Sequence, residues 1–426
     1  DWVQLTFSNQ FVKAGESYFS PDDSKIIFQA VEKPAPGEAT EDLYAMFVAN
    51  VVRDSKGNIT GIDHIKRLSP KGSANTCGWF HPTEPNVVIF ASTIVPPTES
   101  TPPGFQRASG MYKWMFPPEM RIVKCDITKA DGTAATLETI VGDGKAYRAE
   151  GSISPDGRHL LYCSLEAGKD DGDLYVYDLK TKKNVRIVQA KGYDGGPFFS
   201  PDGKRICYRS DRLGDKMLQL FVAHLSFNDQ GEIIGIEREY QLTDQPCVNW
   251  CPFWTRDGRR LVYASSELGE SNFEIYICDA DPGDLPGSNG TIRYGTAKRR
   301  LTHFEPTGGK PGSDVLPAFS NDGKWMIWTS RRSSDGEVHL VAARFVLDPD
   351  ASWKAPPVSK PDQPRKFTND SQIVEEDPET GRIFVYDMTT HVLSEYDMDT
   401  HTLTEVTDPA DVELFRKLHE TSDEPQ

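Results

Sequence analysis

Nowhere in these 426 residues do roughly 18 apolar side chains run together, so no helix encoded here is built to span a bilayer. The opening DWVQLTFSNQ is too polar for a secretion signal. A chain that begins at Asp1 fits either removal of a leader or a trimmed expression form. The first option points to a periplasmic or secreted location, which is the expectation taken forward. Basic residues are also in short supply: 47 Lys and Arg stand against 64 Asp and Glu, a formal charge of -17. Such a field repels phosphate backbones and anionic headgroups, which disfavours general nucleic-acid or membrane-surface binding and favours a neutral or basic partner.

Paired cysteine motifs are missing too. Seven cysteines cannot all pair within one chain, and none stands in a CxxC or zinc-type spacing. Cys125, Cys163, Cys207 and Cys278 lie in apolar runs such as LLYCS and IYICD, where cysteine serves as a small core residue. Cys247 and Cys251 can bond only if the backbone brings their Cα atoms within about 7 Å, which spacing alone leaves open. There is no GxSxG elbow, which argues against a serine peptidase, and no HExxH or HxH, so a metal-dependent lyase lacks a visible ligand cluster. Of the nine scattered histidines, His81, His303 and His339 also read as structural. No catalytic residue, metal ligand set or cofactor is assigned.

What the chain does contain is a repeat. An aromatic or Ile, a small polar residue and a Pro-Asp-Gly-like turn recur ahead of a short apolar run. The copies are YFSPDDSKIIFQA from Tyr18, WFHPTEPNVVIFAS from Trp79, SISPDGRHLLYCS from Ser152, FFSPDGKRICYRS from Phe198, FWTRDGRRLVYAS from Phe253 and AFSNDGKWMIWTS from Ala318. Four carry Asp-Gly, the dipeptide that supplies the positive φ of a tight antiparallel hairpin. A third alternating run follows each copy (LYAMFVAN, MRIVKCDI, DLYVYDL, LQLFVAHL, FEIYICD, EVHLVAARF), then a shorter one such as RLS, IVG or QLT. Four period-2 strands per unit, repeated six times, make blades of an all-β propeller.

This motif resembles the WD-like propeller repeat of the TolB family, above all in FSPDGKRICYRSDRLGDKMLQLFVA, and the resemblance covers roughly residues 1 to 345. It implies the fold and little about function, because the same repeat occurs in scaffolds, peptidases and polysaccharide lyases. Too little sequence precedes the first blade for TolB's separate α/β domain.

The expected layout is a propeller over residues 1–370, with blades near 18–69, 76–141, 150–188, 195–243, 249–302 and 314–368. QLTF at Gln4 resembles the fourth strands QLTD and RLTH, so the N-terminal strand over residues 2–6 is expected to close the last blade. PRKFT at 364–368 also looks like a fourth strand. GRIFVYDM, HVLSEYD and THTLTEV, within 371–407, make a three-stranded meander and a candidate degenerate seventh blade. The remaining 408–426 hold a short helix capped by Asp408 and docked through Val412, Phe415 and Leu418.

Candidate binding residues gather on one face. Five positions before each blade's anchor residue stand Ala14, Asn75, Arg148, Asp194, Asn249 and Asp314, five of them polar, at the expected channel mouth. The alternative reading has these residues satisfying backbone groups and ordered waters. The second-to-third-strand loops of the same face carry Asp211, Arg212, Glu267, Arg331 and Arg332, with arginines that can pair with neighbouring blades instead of a ligand. A long insertion, 94–119, brings Tyr112, Trp114, Met115 and Phe116, which are costly to expose and so pack over the channel mouth or against a partner. The leading expectation is a non-enzymatic, extracytoplasmic binding or scaffold protein that uses this face to hold a protein or a glycan. The alternative is a carbohydrate-active lyase or hydrolase with its site in the channel mouth.

Overall fold

The computed structural model describes residues 2–38, 43–98, 104–106, 111–113, 117–129, 136–165, 171–214, 217–269, 272–280, 295, 297–304, 312–333, 336–346, 372–376, 380, 382–387, 392–397, 402–408, 410–412 and 414–415. The chain divides into two compact units, 1–347 and 348–426.

The first unit holds six four-stranded antiparallel sheets. Blade one comprises Phe11–Phe19, Lys25–Glu32, Ala45–Arg53 and Ile59–Arg67. Blade two comprises Asn75–Phe80, Val87–Ser92, Arg121–Asp126 and Glu138–Val141, and blade three Tyr147–Ile153, His159–Leu165, Gly172–Asp178 and Asn184–Val188. Blade four comprises Asp194–Phe199, Arg205–Ser210, Gln219–Phe227 and Ile233–Gln241, and blade five Asn249–Trp254, Arg260–Ser265, Glu274–Asp279 and Arg299–Arg300. Blade six takes three strands from Asp314–Phe319, Trp325–Ser330 and His339–Arg344, and its outer strand from Trp2–Gln4. Trp2 pairs with Ala343 and Gln4 with Val341. The first strand of each blade contacts that of the next, and the first strand of blade six contacts that of blade one. Between sheets the apolar faces interleave into five buried clusters, such as Ile89, Ile122, Ile153, Leu160 and Tyr162 between blades two and three.

The repeated Ser-Pro-Asp-Gly turn has a specific job. In five blades the Ser or Thr hydroxyl donates to the Asp carboxylate two residues on, at 2.5–2.6 Å. The same hydroxyl accepts the backbone N–H of the first residue of the next strand, as Ser154 does from His159 at 2.9 Å. The fourth turn position has positive φ, from 68° to 77° at Gly157, Gly203, Gly258 and Gly323. Blade one puts Asp23 there instead, at φ 57°. Its carboxylate leaves the turn and accepts the backbone N–H groups of Asn321 (2.7 Å) and Asp322 (2.9 Å) in blade six, while the Asn321 amide donates to the Ser20 carbonyl at 2.8 Å.

All seven cysteines are free thiols, including Cys247 and Cys251, and the four expected in the core are buried there. In the insertion, Gly104–Gln106 pairs with Met111–Lys113 as a two-stranded hairpin. PRKFT lies outside the described residues.

In the second unit the meander has four strands, Gln372–Glu376, Ile383–Asp387, Val392–Asp397 and Thr402–Glu405. The first was overlooked because QIVEE has no repeat turn beside it. The Asp408 side chain accepts the Ala410 N–H at 2.9 Å, the cap expected for a helical turn. Arg382 bridges Glu395 of the sheet to Asp411 of that turn, and Phe415 packs on Tyr386 at 5.9 Å. Val412 is exposed rather than docked, because the turn meets the sheet through Phe415 and the Arg382 ion pairs. Leu418 lies outside the described residues.

Replacing Asp23 with Ala removes the acceptor for the Asn321 and Asp322 N–H groups, each hydrogen bond being worth about 0.5–1.5 kcal/mol. The Asp23→Ala variant is expected to lose about 1–3 kcal/mol of stability in urea unfolding.

Candidate functional site

Each first strand bulges at one equivalent place, between Gly15 and Ser17, Thr76 and Trp79, Ala149 and Ser152, Gly195 and Phe198, Trp250 and Phe253, and Val315 and Ala318, and blade one has a second bulge between Phe11 and Lys13. Three positions before every anchor the backbone is left-handed: Glu16 (φ 43°), Cys77 (53°), Glu150 (61°), Gly196 (58°), Cys251 (46°) and Leu316 (56°). Five of these six are not glycine, so each conformation carries a local cost that the surroundings must offset.

Bonds between neighbouring blades supply the offset. Glu16 of blade one accepts the Cys77 N–H of blade two at 3.3 Å, and Glu150 of blade three accepts the Gly196 N–H of blade four. In blade five the Cys251 Sγ accepts the Leu316 N–H of blade six at 3.2 Å, and Thr329 of blade six accepts the Glu16 N–H at 3.0 Å. The ring is thus stitched by side chains that take the bulged N–H next door.

Around Glu150 this becomes a buried network. Its Oε1 accepts from the hydroxyls of Tyr147 (3.1 Å) and Tyr193 (2.6 Å), and its Oε2 faces Arg209 at 3.4 Å. Arg209 also donates to the Tyr193 oxygen at 2.9 Å. It comes from the second strand of blade four and passes where Gly196 leaves room, a Cβ there lying 2.1 Å from its Nη1, while the space at Gly195 is taken by Tyr193 and Glu150. Burial works against the Arg209 charge, but Tyr193 and Glu150 more than compensate and hold its pKa above the usual range. Burial raises the Glu16 carboxyl, against hydrogen bonds from Cys77 and Thr76. Two residues along, Tyr18, Trp79, Phe198 and Phe253 from four different blades pack together with centroids 5.0–6.2 Å apart. Polar ring and aromatic layer together fill the space between the first strands.

The residues anticipated at the channel mouth are held within and between blades. Asp194 is buried and meets Arg212 at 3.1 Å, while Arg212 also pairs with Glu239. Asp314 repeats the arrangement with Arg332, Ser330 and the Trp328 indole. Asn75 donates to the carbonyls of Ser73 and Tyr44, Asn249 to the Gln219 side chain, and Arg148 to the carbonyl of Tyr147. Ala14 is buried, and the Arg331 side chain is half-buried beside Arg332. Tyr112 lies in the insertion hairpin, while Trp114, Met115 and Phe116 fall outside the described residues. Among the described residues, no three His, Cys, Asp or Glu side chains gather as a metal ligand set.

The sequence reading passed over two groups. Glu16 and Glu150 sit two positions nearer the anchor than the polar set singled out, and their signal was Glu or Cys at that position in four of six copies; their partner Arg209 comes from the second strand of blade four. The other group is exposed: Val95, Leu213 and Leu268, each three residues past the Ser that ends the second strand of blades two, four and five, are 53%, 59% and 45% exposed. The matched RLG and ELG of blades four and five were their visible trace.

Two consequences can be measured. Replacing Glu150 with Leu leaves two tyrosine hydroxyls, an N–H and a guanidinium buried without it, and is expected to cost about 3–5 kcal/mol in denaturant unfolding. Burial, resisted by Arg212 and Ser210, pushes the Asp194 carboxyl up to about 6 from 3.8. The folded state therefore holds that proton more tightly than the unfolded chain, so the contribution is full below about pH 4 and is lost as pH rises through 6. Between those values wild type should lose about 3 kcal/mol relative to Asp194→Asn, a difference that paired unfolding curves will show or refute.

No family model matches the chain. It is 24% identical over 219 residues to the Tol-Pal system protein TolB of Helicobacter hepaticus, covering 50% of this chain and 44% of that protein. It is 26% identical over 203 residues to the uncharacterized peptidase YuxL of Bacillus subtilis, covering 42% and 28%. The crystal structure of TolB from Acinetobacter baumannii aligns with 78% of this chain and 63% of that one, at 17% identity and a TM-score of 0.45. The match spans less than half the length of these two sequence relatives. Its six four-stranded sheets make the chain a β-propeller, and its repeats are similar to those of TolB.

Proposed function

We propose that this propeller is a non-enzymatic binding or scaffold protein that holds a protein partner on the face formed by its second-to-third-strand loops. The observation that carries this reading is the apolar set Val95, Leu213 and Leu268, exposed at one repeated position in three blades. Isolated surface leucines need no explanation, but large apolar residues held outward at equivalent loop positions of three blades mark an interaction surface. The 94–119 insertion enters this face beside Val95 and brings further aromatic residues in sequence. Below it, Glu16, Glu150 and Arg209 are engaged in blade-to-blade bonds, which disfavours the lyase or hydrolase alternative, since a general base has to reach a substrate.

The likeness to a protein named for the Tol-Pal system supports a protein partner and an extracytoplasmic location. Among the described residues no helix is long and apolar enough to cross a membrane. Pairing of Trp2–Gln4 with blade six supports the N-terminal strand as the closure that keeps the face rigid.

Pull-down from the native source should capture a partner with wild type and lose it with Leu213→Ser/Leu268→Ser and with deletion of 94–119. Ile234→Ser, exposed on the outer strand of blade four, should retain it. A partner set unchanged in both face variants would sink the proposal.

A further inference from the structure

We infer that blades three and four enclose a small-molecule site, independent of the loop face, that takes an uncharged, largely apolar molecule bearing one hydroxyl group. A cleft of about 300 Å³ lies between the outer strands of blade three and the hairpin that joins the third and fourth strands of blade four. It opens at the turn end of the blades, opposite the second-to-third-strand loops. Two bridges tie the hairpin tip to blade three: Arg158 donates to the Gln230 carbonyl at 2.7 Å, and Lys183 pairs with Glu232 at 2.9 Å.

The lining selects the ligand. Val176 and Val185 of blade three face Ile233 and Ile234 of blade four, so most of the wall is aliphatic. The charges beside it are already matched. Glu232 takes Lys183 and the Asn228 amide, and Asp178 takes Arg158 at 2.8 Å and the N–H groups of Lys180 and Thr181. A charged ligand would have to give up its water for groups that are spoken for, which favours a neutral one. His159 is the exception. It is buried in the lining, no described protein group hydrogen-bonds its Nε2, and the nearest Asp178 oxygen stands 3.7 Å away, beyond hydrogen-bond reach. Burial lowers its pKa against the pull of Asp156 and Asp178, so the ring is neutral near pH 7. A neutral imidazole presents a donor or an acceptor according to tautomer, and a hydroxyl group answers either. A cleft of this size stands at the small end of ligand pockets, with room for a substituted benzene ring.

The probe is para-ethylphenol, with ethylbenzene lacking the hydroxyl and para-ethylbenzoate carrying a charge, each titrated against the whole chain. The phenol should bind at least about fivefold more tightly than ethylbenzene, the worth of one hydrogen bond, and the benzoate should not saturate. Bound phenol should shift the His159 imidazole nitrogen resonances and protect residues 176–178 and 232–234 from hydrogen exchange. Val185→Phe, which fills the cleft, should abolish binding, and His159→Leu should bring the phenol down to the affinity of ethylbenzene, with urea unfolding confirming that both variants fold. The imidazole shift in wild type reads the contact even where a variant misfolds. Saturation by none of the three molecules, ethylbenzene binding as tightly as the phenol, saturable binding of the benzoate, an unmoved His159 signal, or an affinity that both folded variants leave unchanged overturns the inference.

Discussion

Six left-handed bulges, one in the first strand of each blade, are the constraint around which the first unit is organised. A strand that runs straight offers its N–H groups to its own sheet. The bulge turns one N–H away from the ladder, and a buried N–H without an acceptor is costly. Here Glu16, Glu150, Cys251 and Thr329 provide acceptors across the gap to the next blade. Local backbone strain is thereby converted into blade-to-blade cohesion at the centre, where there is too little space for large apolar residues from all six sheets.

The same geometry separates centre from rim. With Glu150, Arg209, Tyr147 and Tyr193 satisfying one another above four packed aromatic rings, the middle of the propeller is a polar core rather than an open cleft. The acids and arginines of the mouth are likewise committed to blade pairs such as Asp194–Arg212 and Asp314–Arg332. The large apolar side chains Val95, Leu213 and Leu268 stand exposed on the loops instead. At the opposite end of the blades, Asp23 replaces the usual turn glycine and ties the first sheet to the sixth.

The blades were legible from one chain because the turn chemistry is local. Ser200, Asp202 and Gly203 satisfy one another within a few residues, so their spacing survives in sequence whatever lies around them. Alternation of apolar and polar residues then placed the strands, and the N-terminal QLTF was recognisable as an outer strand by its likeness to QLTD and RLTH. The strand Gln372–Glu376 escaped for the converse reason, having no such turn beside it.

What the linear sequence could determine, then, was the unit, its number of copies and its strand order, because each depends on neighbours within about ten residues. Only the tertiary structure decided which polar residues face one another. Glu150 and Arg209 are 59 residues apart and meet solely because Gly196 leaves a gap between two blades. Asp194, which reads as a ligand group at a channel mouth, is buried against Arg212, two residues past its cross-strand partner Ser210.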